Sequence, residues 1–277
     1  MGRRKHARFQ IYFTFLKFPA LLTLQYCPPD RWRSKVPSMD PNLARHYGHY
    51  YETGASEWRR LGAIDKARNI IGRCDGMDID SVVEIGAGDG AVLHQLSGTN
   101  FARSYSALEV SESAVKVIRD RGIDGLREVT LFDGYDAPIE DGKYDLAVLS
   151  HVVEHVEHPR MLLREAARVA DYVYVEVPLE LKLRAPRDFK WTSTGHINIY
   201  SSLTIRHLVQ STGLSIVEER VTNPSFDVYR FGRGKQALAH FAIKATALRI
   251  MPPIATRLFT YHWSALCKPS GDLLARP

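Results

Sequence analysis

Residues 82–90 read VVEIGAGDG, and the parsing of this stretch decides the fold. A β-branched run leads into Glu84 and Ile85. Glycines then stand at every second position (Gly86, Gly88, Gly90), and an apolar helical pattern opens at Ala91. A short buried run, a tight turn and a helix start are what a parallel strand entering a helix looks like. Glycine lets the backbone take positive φ and lets a ligand approach the main chain. The helix start adds unpaired N–H groups and the positive end of a dipole. The stretch therefore reads as a ligand cradle, with Glu84, Gly86, Ala87, Gly88 and Gly90 as its candidate contacts.

The dinucleotide fingerprint is G-x-G-x-x-G. Here the third glycine comes one residue early, and Asp89 sits inside the turn, where a pyrophosphate would be repelled. With Glu84 at the strand end, the turn suits a ligand bearing hydroxyls and a positive charge. The form E-x-G-x-G-x-G resembles the first motif of class I S-adenosylmethionine-dependent methyltransferases, whose cofactor carries a ribose and a cationic sulfonium. A dinucleotide enzyme and a purely structural strand-turn-helix stay open from this stretch alone.

Composition is that of an ordinary globular protein: 277 residues, 45% hydrophobic and 25% charged. The net charge of +6 is concentrated at the start. Residues 1–35 hold eight Lys/Arg and one acid, leaving 29 bases against 30 acids in the rest. The basic balance is thus no argument for nucleic-acid binding by the folded part, and no nucleic-acid partner is expected. Three scattered cysteines, Cys27, Cys74 and Cys267, give neither a disulfide framework nor a cysteine zinc site. Residues 1–8 are basic and 9–26 apolar and aromatic. That segment reads as an extraneous or disordered extension ahead of Met39, as a peripheral membrane contact, or as a secretory signal. The expected location is cytoplasmic, with membrane association through residues 9–26 as a variant.

Beyond this extension (1–38), residues 39–75 form a helical lead-in. Leu61, Ile64, Ala67, Ile70 and Ile71 recur at helical spacing, and Tyr47, Tyr50, Tyr51 and Trp58 are core aromatics or part of a cofactor lid. Strands are predicted at 81–85, 104–109, 127–132, 144–149, 171–177, 214–221 and near 259–267. Helices are predicted at 90–97, 111–121 with Ser111 as N-cap, 157–170 and 202–212. This alternation is a doubly wound α/β sheet. The resemblance implies seven strands, mostly parallel, with the last one antiparallel. An insertion at about 223–257 carries a stripe of Leu238, Phe241, Ala242, Ala245 and Leu248, and Pro252-Pro253 is expected to end its helix.

Glu109 ends the second strand, 19 positions after Gly90, where an acid accepts hydrogen bonds from ribose hydroxyls. By resemblance Asp133, with Asp136 as competitor, is similar to the acid that contacts an adenine amino group, and Ser150 completes the cofactor set. SHVVEHV (150–156) follows a strand directly, outside its carboxyl end, where ligands of such sheets bind. H-x-x-E-H is also the inverted zincin motif, but that motif needs a helix in a chain without a nucleotide turn.

YDLAVLSHVVEHVEHPRMLLREAARV (144–169) resembles the methyltransferase group that includes ubiquinone-biosynthesis O-methyltransferases. Some members hold a divalent metal with an acid three residues before the Glu-His pair. Here that position is His151, so a hard-cation site through His151, Glu154 and His155 is less supported and no metal is assigned. His196, in TSTGHINIYS, matches a G-H of the same group. His151, His155 and His196 are the candidate catalytic residues, since a histidine can take a proton from an acceptor hydroxyl. The loop 179–196 carries Lys182, Arg184, Arg187 and Lys190 and suits either an acidic acceptor or solvent. The reading is S-adenosylmethionine-dependent methyl transfer to a small-molecule or glycan-type acceptor, with O-methylation preferred. An NAD-linked oxidoreductase and a non-catalytic methyltransferase-like scaffold are the alternatives.

Overall fold

A computed structural model describes residues 56–185, 188 and 195–270. Residues 1–38, Tyr47, Tyr50, Tyr51, Arg187 and Lys190 lie outside the described residues. Seven strands form one sheet: β1 (Ser81–Ile85), β2 (Ser104–Glu109), β3 (Leu126–Leu131), β4 (Tyr144–Ser150), β5 (Ala170–Pro178), β6 (Leu214–Thr222) and β7 (His262–Pro269). Their spatial order is 3-2-1-4-5-7-6. β1 to β5 are parallel, and β7 runs antiparallel to both β5 and β6.

The sheet is buried on both faces because its central strands carry apolar side chains on both sides. In β1, Val82 packs on one face while Val83 and Ile85 pack on the other. In β4, Leu146 and Val148 take the first face, and Ala147 and Leu149 the second. Two cores therefore flank one sheet, which is what period-two side-chain alternation produces when helices cover both sides. The first core packs under α1 (Ser56–Arg73) through Ala63, Ala67 and Ile70, and under α2 (Ala91–Ser97) and α3 (Glu112–Asp120). The second packs under α4 (Pro159–Val169) and α5 (Ser202–Gln210). Ser111 caps α3 as expected, its Oγ accepting from Ala114 N–H at 3.4 Å. Ser201 and Thr204 close a reciprocal capping box at the start of α5.

The insertion departs from its sequence reading. It folds as three helices, α6 (Phe226–Arg233), α7 (Ala237–Ile250) and α8 (Pro252–Leu258). Pro252-Pro253 opens α8 as well as ending α7, because proline at a first helical position gives up an N–H that has no partner there anyway. The predicted stripe is also rotated: Leu238 and Ala242 are exposed, while Ala237 and Lys244 are buried. Lys244 is held by its own chemistry. Its Nζ donates to Thr260 O at 2.6 Å and stands 5.0 and 4.9 Å from the ring centres of Tyr229 and Tyr261. Among the described residues no helix is long and apolar enough to cross a membrane.

Candidate functional site

A cavity of about 490 Å³ runs along the carboxyl edge of the parallel strands, across the point between β1 and β4 where strand order reverses. Open α/β sheets bind ligands there because the loops diverge to either side and leave a crevice. One end is walled by the glycine turn with Glu84, Glu109 and Phe132. The other is walled by Ser150, His151, His155, His196 and His262.

At the first end the backbone does most of the shaping. Gly86 has φ 72°, and a Cβ built there would lie 2.8 Å from Val152 Cγ2. The loops after β1 and β4 thus meet too closely for any side chain at that position. Glu109 is buried at the end of β2 and organises the turn. One oxygen accepts Gly88 N–H at 2.7 Å, and the other accepts Val110 and Ser111 N–H at 2.8 and 3.2 Å. Burial pushes its carboxyl up, and those three N–H groups oppose the rise. Glu84 is buried beside it, pushed up to about 8 by burial, with Lys66 opposing and Asp89 and Glu109 adding to the rise. Its Oε2 makes no hydrogen bond, nor does the Ser150 hydroxyl. A ligand offering hydroxyls and a positive charge would satisfy both groups.

Two sequence expectations change here. Asp89 does not present a bare charge to the ligand. Arg121 pairs with it at 2.8 Å and Arg59 lies 3.7 Å away, so its effect on a phosphate is muted. Asp133 is not on the cavity wall, which at this point is formed by Phe132 and Gly134. It is exposed, and its Oδ1 accepts the N–H groups of Tyr135 and Asp136, both at 2.8 Å. Aspartate readily closes such a turn on its own backbone, and the acid there serves the loop rather than the cavity.

The second end gathers histidines from distant parts of the chain. His151 has φ 59°, an uncommon conformation for a side chain of this size. Its N–H donates to Glu176 O at 2.8 Å, which fixes the loop to β5. Its Nδ1 stands 3.3 Å from Glu154 and its Nε2 3.4 Å from Glu176. Burial and Lys66 lower the His151 pKa, but the two glutamates outweigh them and the net direction is up. Glu154 and Glu176 are fully buried, yet the histidines hold both below the usual carboxylate range. His155 is lowered, chiefly by burial, so its ring is neutral at neutral pH. Its Nδ1 lies 3.2 Å from Gly195 O, and its ring stands 4.8 Å from that of His196. His196 Nδ1 is 2.7 Å from Glu180 Oε2. A histidine anchored to a carboxylate through one nitrogen has its other nitrogen oriented for proton transfer.

The structure thus brings Glu84, Gly86, Ala87, Gly88, Glu109, Ser150, His151, His155 and His196 onto one cavity, and leaves Asp133 and Gly90 off it; Gly90, at φ 72°, faces Ile118 and Ile123 instead. Sequence reasoning missed Glu176, Glu180, Lys66 and His262. Glu176 had a signal: it is the one carboxylate inside the apolar run YVYVEV, where a buried charge needs partners. His262 had none, because its place beside Glu176 depends on β7 returning antiparallel to β5.

The family described as a methyltransferase domain matches residues 35–219. A curated protein of Methanocaldococcus jannaschii, itself uncharacterized, is 29% identical over 90 residues, which are 31% of this chain and 38% of that one. The chain therefore matches well under two thirds of that relative's length. Geranyl diphosphate C-methyltransferase from Streptomyces coelicolor was crystallised with Mg2+, geranyl-S-thiolodiphosphate and S-adenosyl-L-homocysteine. It superposes with a TM-score of 0.60 at 12% identity, over 84% of this chain and 100% of that one. The cyclase SpnF gives a TM-score of 0.54 at 17% identity, over 75% and 81%. At these identities the likeness is one of fold, and a fold shared by a methyltransferase and a cyclase does not by itself fix a reaction.

Proposed function

This chain belongs to the methyltransferase-domain family, and from that premise we propose that it binds S-adenosylmethionine at the glycine end of the cavity and methylates an oxygen of a small-molecule or glycan-type acceptor held at the histidine end. When bound, the cofactor supplies an electrophilic methyl carbon on a cationic sulfonium. The observation that carries the reading is the single cavity joining the Glu84–Glu109 turn to the histidine wall. Glu109 fixes the turn and keeps lone pairs for ribose hydroxyls, since an ionised carboxylate accepts about four hydrogen bonds. Glu84, with an unsatisfied oxygen, is the group that answers the positive charge. The leaving group is neutral, so the protein needs only to align acceptor and methyl and to accept one proton. His196, tied to Glu180 through Nδ1, takes that proton on its other nitrogen, and His155 stands against its ring. The HVVEHV segment supports a hydroxyl acceptor through its resemblance to the ubiquinone-type O-methyltransferases.

Isothermal titration with S-adenosylmethionine, S-adenosylhomocysteine and NAD tests the cofactor. Binding of both sulfur nucleosides without NAD is expected, and NAD binding in their absence overturns the reading. Transfer of a labelled methyl group from the cofactor to a panel of hydroxyl and carboxylate acceptors then identifies the acceptor class. A chain that binds the nucleosides but labels nothing in a cell extract would be a scaffold rather than an enzyme.

A further inference from the structure

We propose that His151 Nε2, Glu176 Oε1 and His262 Nδ1 form a binding site for one divalent first-row transition-metal ion, of the Zn2+ type. The set differs from the one the HVVEH motif suggested, because it uses β5 and β7 and leaves His155 out.

The distances favour a metal over a hydrogen-bonded relay. Glu176 Oε1 is 3.4 Å from His151 Nε2 and 3.4 Å from His262 Nδ1. Both separations exceed the roughly 2.7–3.2 Å of an N–H···O hydrogen bond, and neither His151 Nε2 nor Glu176 Oε1 makes one. Metal–ligand bonds of about 2.0–2.2 Å put neighbouring ligands of a tetrahedron about 3.4 Å apart. The three donor atoms all lie within 4.8 Å of one another, and the two imidazole rings stand 4.6 Å apart at 77°. Two imidazoles and one carboxylate form the borderline donor set that suits zinc and its neighbours rather than magnesium or calcium.

The surroundings are those a metal site needs. Ligating histidines commonly give their other N–H to a carboxylate, which fixes the tautomer. His151 Nδ1 faces Glu154 at 3.3 Å, and Glu154 is fully buried with no hydrogen bond to either side-chain oxygen. The second oxygen of Glu176 accepts from the Tyr174 hydroxyl and from Asn69 Nδ2, which pins the carboxylate with Oε1 toward the histidines. The strained backbone of His151, held by its N–H bond to Glu176 O, aims the ring at the same point. Lys66 is a nearby charge that opposes a cation, acting on both His151 and His262. Both histidines line the cavity and keep a partly exposed edge, so coordination positions remain open on that side. An acceptor would meet the ion there through a carboxylate or hydroxyl oxygen. That role rests on the proposed function, whereas the site itself does not.

The test is metal binding by untagged full-length protein after chelator treatment. Zn2+ is followed by titration calorimetry, and Co2+ by its visible absorption. The expected result is one ion per chain with a dissociation constant below about 1 μM, an affinity in the range of protein zinc sites. His262→Ala and Glu176→Gln should each weaken binding by about 100-fold or more. Glu154→Gln should weaken it about 10–100-fold, the usual cost of losing a group that orients a ligand. S-adenosylhomocysteine titration and metal-free melting report whether each variant is folded. Should Glu176→Gln unfold, His262→Ala decides alone, since its side chain is 21% exposed where that of Glu176 is fully buried. Substoichiometric binding, unchanged affinity in His262→Ala, or loss of binding only in His155→Ala would each overturn the site. None of these readouts depends on methyl transfer, so the site and the proposed function fail separately.

Discussion

The two ends of the cavity are built in opposite ways. The glycine end is made of residues 84–90 and 109, and its working groups are mainly backbone N–H, shaped by positive-φ glycines and one carboxylate. The histidine end draws on residues 151, 154, 155, 176, 180, 196 and 262, and its working groups are side chains that meet only through the sheet. The first is a local device and tolerates no side chain at Gly86. The second is an assembly whose members can be altered one at a time. Substitutions should therefore fall into two classes, one acting on cofactor binding and one acting downstream of it.

The largest expected effect is at the histidine end. His196→Ala should lower methyl transfer about 10²–10⁴-fold, the usual contribution of a positioned acid or base, and leave the S-adenosylhomocysteine dissociation constant unchanged by calorimetry. Glu180→Gln should act in the same direction by less. A parallel loss of nucleoside binding would erase the distinction between the two ends. Gly86→Ala should do the opposite. Positive φ and a contact of 2.8 Å on Val152 should together cost about 2–4 kcal/mol of folding stability, read by urea denaturation, and nucleoside binding should be lost. Val152→Ala in the same chain should recover part of the stability. Glu109→Ala strands the N–H groups of Gly88, Val110 and Ser111. At about 1–3 kcal/mol for a buried unsatisfied group, nucleoside affinity should fall about 100-fold, with Glu109→Gln between the two.

A smaller effect sharpens the comparison through pH. The Glu84 carboxyl sits at about 8 in the fold against 4.5 when free. Its stabilising contribution is complete below about pH 4.5 and is lost as pH rises through 8, because the buried group resists ionising. A cationic ligand reverses the preference by favouring the carboxylate. S-adenosylmethionine should therefore gain affinity relative to its uncharged product between pH 6.5 and 8.5, and Glu84→Gln should flatten that ratio. The smallest effect lies away from the cavity. Lys244 is lowered to about 8 from 10.5 by burial, with Arg233 and Lys182 adding. The buried ammonium costs stability below pH 8, and the cost disappears between about 8 and 10.5 as it deprotonates. Tyr229 and Tyr261, raised from 10 to about 12 in the fold, oppose the rise only from about pH 10, where their unfolded phenols ionise, and do so equally in the natural chain and the variant. Melting temperature should rise across it in the natural chain and stay level in Lys244→Met, with nucleoside binding unaffected in both.

The legible parts of the sequence were those governed by local rules. Glycine spacing, the apolar runs of β1, β4 and β5 and the Ser111 cap all act over a few residues, and each appears where the pattern placed it. Asp133, given a cofactor role by resemblance, stands off the cavity wall with its Oδ1 closing a local turn, a contact that the resemblance does not encode. The rotated face of α7 failed because an amphipathic stripe containing several alanines has little preference for one side, and Lys244 found a carbonyl and two aromatic rings to bury against.

The sequence by itself determined the doubly wound sheet and the ligand turn at 84–90, since strand burial, glycine conformation and helix starts are properties of short segments. Only the tertiary structure decided which histidine faces which carboxylate. His262 meets Glu176 because β7 returns antiparallel beside β5, and His196 stands against Glu180 where Ile197 and Asn198 donate their N–H groups to Glu154 O in the loop after β4. Such meetings join residues up to about a hundred positions apart, and no periodicity encodes them; they exist only once the long-range pairing of strands has brought the ends of the sheet together.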